Sequence, residues 1–301
     1  MKKALGNIGK IIWAPLIFAG MQFVVGNAYV LLHGIVVFFR MALAGEDIEN
    51  IDPAKLEETI ISSINWYLPM FISAAATFLF VFLIMHKEWK TESFWSFEKV
   101  KANPMILVMC AGFGISANLF MAGFMAFLPI PEHEQPFEVL LGDNLFLMFF
   151  TLAIVAPVIE EIVFRGIVQK KLMKMMRVPG AIILQAVIFG AVHLDFYQGT
   201  YTVFIGIMIG IIYLWYDSIY IPITIHVAFN ATSVMLYHIA GDAEINAGVF
   251  MIMTGAALFI SMGFLIALAG RRPKALYKFD NNGYNYGNNN NDDDTTPPFV
   301  G

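Results

Sequence analysis

The stretch Ala156-Pro157-Val158-Ile159-Glu160-Glu161-Ile162-Val163-Phe164-Arg165-Gly166 decides how the chain is to be read. Two adjacent carboxylates and a guanidinium stand in a run otherwise as apolar as a membrane span. LFLMFFTLAIVAPVI leads into the charges from Leu145, and IVF and GIV continue past them. An ionised side chain in such surroundings has to be paired, solvated or neutralised, so these groups mark a candidate functional site.

The rest of the chain shares this character. Of its 301 residues 58% are hydrophobic and 14% charged, and the mean hydropathy is +0.69. A soluble domain carries about 25% charged residues. With several apolar runs of about 20 residues, this implies an all-α polytopic membrane protein in contact with membrane lipids. No basic stripe is present, which excludes nucleic acid as a partner. The single cysteine, Cys110, lies in an apolar run and is expected to be a small buried hydrophobe. The apolar stretch 11–44 is far longer than the ~7–15 residues of a signal-peptide core, so it is expected to be a retained first span.

About eight transmembrane helices are expected, at 11–39, 64–85, 104–128, 145–168, 181–194, 200–215, 219–239 and 249–269. Basic and acidic connections alternate between them. Lys2, Lys3 and Lys10 precede the first span, Lys87, Lys90, Lys99 and Lys101 follow the second, and Lys170, Lys171, Lys174 and Arg177 follow the fourth. Arg271, Arg272, Lys274 and Lys278 follow the last, whereas GEDIENIDPAKLEET and PIPEHEQPFEVLLGDN are acidic. An excess of Lys and Arg marks the cytoplasmic side, so both termini are expected there. Residues 1–278 thus read as a transmembrane helical domain with a motif-bearing core at 145–240. Residues 279–301, rich in Asn and Asp, read as a disordered polar cytoplasmic tail.

Polar groups within the later spans are Glu160, Glu161, Arg165, His193, His226 and Asn230, with Gln185, Thr202, Thr224 and Thr232 as weaker members. Glu161 and Arg165 are four apart with the acid first, the favourable order for a helical ion pair. Glu160 is then left about 100° round the helix without a sequence-local cation, a plausible general base. His226 and Asn230 share one face of their helix, as do Phe189 and His193 of theirs. Taken with the hairpin turn near Arg177–Pro179, this spacing puts the groups at one depth, nearer the cytoplasmic face. A lone intramembrane His or Asn is ordinarily an interhelical hydrogen-bonding residue worth about 1 kcal/mol; the convergence of several gives the functional reading its weight.

Glu160-Glu161-x-x-x-Arg165, Phe189-x-x-x-His193 and His226-x-x-x-Asn230 resemble, in order and in helix placement, the three motifs of the CPBP family. Its best-known members are the type II CAAX prenyl endopeptidases, which are intramembrane proteases. The resemblance covers about 145–240. It implies an intramembrane endopeptidase with a site open toward the cytoplasm, acting on a peptide or membrane-associated protein without a covalent intermediate. It implies that Glu160 with His193 activates water, that His226 and Asn230 donate to the oxyanion, and that Glu161 and Arg165 support the site with Phe189. It further implies a multi-pass protein of a prokaryotic cell membrane, with peptide maturation, peptide export or bacteriocin immunity as fitting uses. No cofactor is expected; the alternative is zinc on Glu160, His193 and His226, although HExxH is lacking. A second function class is a non-catalytic membrane scaffold that regulates another membrane protein, such as a sensor kinase. A third is a proton-relaying transporter, disfavoured because the polar groups cluster at one depth.

Overall fold

A computed structural model of the chain describes residues 2–47, 51–91, 104–130, 145–240, 246–272, 277–279 and 285–287. The described architecture is a helical bundle: α1 (Lys2–Leu43), α2 (Pro53–Ser62), α3 (Tyr67–Thr91), α4 (Met105–Met125), α5 (Leu145–Met173), α6 (Val178–Ala191), α7 (Phe196–Tyr216), α8 (Tyr220–Ala240) and α9 (Ala247–Arg271). Six of these, α1, α3, α4, α5, α7 and α9, are long and apolar enough to cross a membrane. That is the make-up of a multi-pass membrane protein.

The other two expected spans exist as helices of different character. α6 has 14 residues, about 21 Å at 1.5 Å per residue and short of a bilayer core of about 30 Å. α8 has 21 residues, but His226, Asn230, Thr232 and Ser233 dilute its apolar content. The short α2 arises in the acidic connection, where no element was expected. Its local signal is plain in hindsight: Asp52 accepts from the amide of Ala54 at 3.0 Å, and Pro53 follows at the first helical position.

α5 is not a uniform α-helix. Phe150–Val155 and Phe164–Gln169 are π-helical, on either side of the α-helical turns Ala156–Val163 that carry both glutamates. Pro157 explains the first interruption: it has no N–H to donate, and its ring crowds the carbonyl four residues back, that of Ala153. π turns in such positions are frequent at functional sites.

Two large buried clusters hold the bundle, with a smaller one of Tyr67, Met148, Ala153 and Val234. One joins Phe18 of α1, Met85 of α3, Phe164 and Ile167 of α5, and Val178 and Phe189 of α6. The other joins α4, α7 and α8 through Phe113, Ile209 and Ile225, and reaches Leu268 of α9. Tyr216 donates to the carbonyl of Leu268 at 2.8 Å, so α7 and α9 end together. Gly114 permits a close approach of α4 to the backbone of α8: a Cβ there would run into the backbone carbonyl of Ile225, next to His226. Cys110 is fully buried, as expected. Tyr277–Phe279 and Asn285–Gly287 form a short antiparallel ribbon. The expected disorder of the tail otherwise falls on residues outside those described, as do Lys99, Lys101 and most of the acidic connection after α4.

Candidate active site

Glu161 and Arg165 are both fully buried and form the expected pair, with Nη1 2.8 Å from Oε1. The pair does not stand alone. Arg165 Nη2 donates to the carbonyl of Gly206 at 3.3 Å, and one turn later Gln169 Nε2 donates to the carbonyl of Gly210 at 3.0 Å. Two side chains four apart on α5 thus bond two carbonyls four apart on α7, which fixes the two helices in parallel register. Both glycines keep the approach open: a Cβ on Gly210 would lie 3.0 Å from Gln169 Oε1, and one on Gly206 would lie 3.3 Å from Ala186 Cβ. The ring of Phe189 covers the guanidinium, 4.6 Å from Cζ to its centroid, a cation–π contact in a dry setting. Glu161 Oε2 and Arg165 Nε are buried with no partner among the described residues.

His226 joins this anchor to the second glutamate. Its Nδ1 lies 2.7 Å from Glu161 Oε1 and its Nε2 lies 3.6 Å from Glu160 Oε2. A carboxylate only accepts, so Nδ1 carries a proton and Nε2 is directed toward Glu160. Glu161 therefore serves Arg165 and His226 with one oxygen, while Glu160 has no hydrogen-bonding side chain among the described residues.

His193 sits just beyond the last turn of α6, where Leu194 takes a left-handed φ of 56° and Asp195 caps the start of α7. A branched residue in that region is uncommon and strained. His193 Nδ1 lies 2.9 Å from the carbonyl of Phe189. The carbonyl can only accept, which makes Nδ1 the donor and leaves Nε2 for the cavity. Asn230 Nδ2 donates to the carbonyl of Leu152 at 3.0 Å, inside the first π segment of α5, and one N–H of its amide remains.

Glu160, Phe189, His193, His226 and Asn230 line one cavity of about 400 Å³. Glu161 and Arg165 lie behind its wall. The cavity is lined from the first half of α3, α5 and α7, the end of α6, α8 from His226 to Tyr237, and Phe18 and Gln22 of α1. His193 lies at the far end of α6 from the Lys170–Arg177 turn. Leu172 and Met173 are buried against α1 and α6 and do not stand free. Among the described residues, no three His, Cys, Asp or Glu side chains are grouped to hold a metal ion. Glu160, His193 and His226 share a cavity without forming a tetrahedral ligand set, and His226 Nδ1 is committed to Glu161.

Tyr201, Gln198, Ser233 and Tyr237 also line the cavity and were missed in the sequence. A signal for the last two was present. His226, Asn230, Ser233 and Tyr237 follow at spacings of four, three and four, a polar stripe along α8 at the helical period.

Residues 142–232 match the family model described as Type II CAAX prenyl endopeptidase Rce1-like. The match takes in the motif-bearing segment. All seven motif residues, from Glu160 to Asn230, fall inside it. The type II CAAX prenyl endopeptidase family is a protease family, which makes a membrane endopeptidase the general frame for the site. A search of curated proteins gives no match, and neither does one of solved structures.

Proposed function

We propose that the chain is an intramembrane endopeptidase of the CAAX-protease type, residing in a prokaryotic cell membrane, which hydrolyses a peptide bond with water activated by Glu160 and His193. The observation that carries this reading is the division of labour between the glutamates. Glu161 is consumed by Arg165 and His226, while Glu160 faces the cavity with its oxygens uncommitted apart from His226 Nε2.

In this mechanism a water molecule donates to the Glu160 carboxylate and to the bare Nε2 of His193. Its oxygen attacks the scissile carbonyl carbon as its proton passes to Glu160. The new oxyanion accepts from His226 Nε2–H and from the remaining N–H of Asn230. In this scheme His226 enters the reaction already protonated on both ring nitrogens, so the step moves no proton onto it, and the Glu161 carboxylate at its Nδ1 balances the charge through a charge-assisted bond. Glu160 returns the proton to the departing amine as the C–N bond breaks. Oxyanion donors of this kind contribute about 2.7–4 kcal/mol to the barrier, and a positioned general base a factor of about 10² to 10⁴. No step passes through a metal. The test is hydrolysis of candidate peptides in membranes by wild type, Glu160→Gln and His193→Ala at equal expression, with and without exhaustive chelation. Loss of cleavage in both variants and indifference to chelator are expected. Full cleavage by Glu160→Gln would leave a scaffold, and loss on chelation would bring back zinc.

A further inference from the structure

We infer that the cavity takes its peptide from the non-cytoplasmic side of the membrane, so that the substrate is an exported or membrane-anchored polypeptide segment exposed there. This rests on the proposed peptidase reading and reverses the cytoplasmic opening that family resemblance implies. Two independent sets of observations meet in it.

The first is where the cavity lies along each helix. Its lining comes from Met70 and Ser73 near the start of α3, Met148 near the start of α5, Gln198 near the start of α7 and His193 past the end of α6. On α8 it runs from His226 outward to Tyr237, close to that helix's end. The antiparallel contacts of α5 and α8, Glu161 to His226 and Leu152 to Asn230, put these ends together. Ser233 and Tyr237 on this stretch are exposed, and Ser233 is fixed by a hydrogen bond from Asn118 of α4.

The second is the charge at the two ends. The opposite end gathers the Lys170–Arg177 turn and, through the Tyr216–Leu268 bond, the end of α9 with Arg271 and Arg272. Arg272 lies over Trp215, 5.8 Å from Cζ to the ring centroid, which holds it at the end of α7. Met85, shortly before Lys87 and Lys90, lies toward the end of α3 opposite to Met70 and Ser73, which line the cavity. The cavity end instead receives the last turn of α1 and the α1–α3 connection, with Glu46, Asp47, Asp52, Glu57 and Glu58 against two cations, Arg40 and Lys55. His33, late in α1, meets Ser63, just past α2, at 2.9 Å and ties that connection to the same end. Lys and Arg accumulate on the cytoplasmic side of membrane proteins, so the cavity lies in the outer half. A peptide entering there passes apolar walls, Met70, Met148 and Val234 among them, before it reaches Glu160.

The test is side-specific thiol labelling of full-length protein. Cys110→Ala removes the only native thiol; Ser233→Cys and Tyr237→Cys then report the cavity mouth, and Arg177→Cys, exposed in the turn, reports the opposite end. A membrane-impermeant maleimide large enough to shift the band on a gel is applied to intact spheroplasts and to inverted vesicles. The expected result is a shift at Ser233→Cys and Tyr237→Cys in spheroplasts, and at Arg177→Cys only in inverted vesicles. Absence of outside labelling at both mouth positions in protein that still purifies as a single folded species overturns the inference. So does labelling of Arg177→Cys from outside. Labelling needs no catalysis, so repeating it in the Glu160→Gln background separates a wrong side from a wrong activity.

Discussion

Replacing each glutamate by glutamine should separate the anchor from the reactive group, because the two substitutions remove different things. Glu161→Gln withdraws the charge that holds a fully buried guanidinium at 2.8 Å and an imidazole at 2.7 Å. Arg165 keeps its bond to the Gly206 carbonyl and the face of Phe189, but neither neutralises it. Breaking a buried pair by removing one partner costs about 3–5 kcal/mol. At about 2–4 °C per kcal/mol for a large domain, the apparent unfolding midpoint in detergent should fall by about 6–20 °C. Glu160→Gln removes only a 3.6 Å approach to His226, beyond hydrogen-bonding reach, and should leave the midpoint within about 3 °C, equivalent to about 1 kcal/mol. Scanning fluorimetry at one fixed heating rate reads both, the fixed rate being needed where unfolding is irreversible. Equal losses in the two variants, or a larger loss in Glu160→Gln, would refute this assignment of anchor and free carboxylate.

Other substitutions test neighbouring parts of the account. Gly114→Ala places a methyl against the carbonyl of Ile225; it should cost about 1–3 kcal/mol by overpacking and disturb the site through His226, read as a lowered unfolding midpoint together with reduced cleavage. Asn230→Ala leaves the Leu152 carbonyl without its donor, a cost of about 1–3 kcal/mol, and should lower cleavage by about 10²–10³ if its free N–H serves the oxyanion. Asn230→Asp, which cannot donate when ionised, should lose cleavage as well. Phe189→Leu keeps an apolar side chain but removes the ring over Arg165; a fall in stability of about 1–2 kcal/mol is expected, seen in the same scan.

How far the sequence reached depends on what kind of contact is in question. The Glu161–Arg165 pair is local, four residues apart on one helix, so spacing alone identifies it. The all-helical membrane architecture is legible for the same reason, since apolar runs and charged connections are local features. His226 meets Glu161 across 65 residues, and nothing in either helix says which of the two glutamates it will choose. The bonds from Arg165 and Gln169 to the carbonyls of Gly206 and Gly210 escape a residue-by-residue reading too, because the acceptors are backbone. The two glycines do signal close packing, but not what packs there. The π segments of α5 were hidden as well: Pro157 hints at a disturbed ladder, yet not that the chain absorbs it as an extra residue in the turn. α8 shows the opposite difficulty. The side chains that make it chemically interesting are those that take it out of the composition of a membrane span.

The sharpest single measurement is cleavage of a membrane-presented peptide library by wild type and by Glu160→Gln, quantified by mass spectrometry at matched protein levels. A drop of about 10²–10⁴ with the fold intact is the predicted result. Unchanged product in the Glu160→Gln protein would contradict the claim that this carboxylate activates the water.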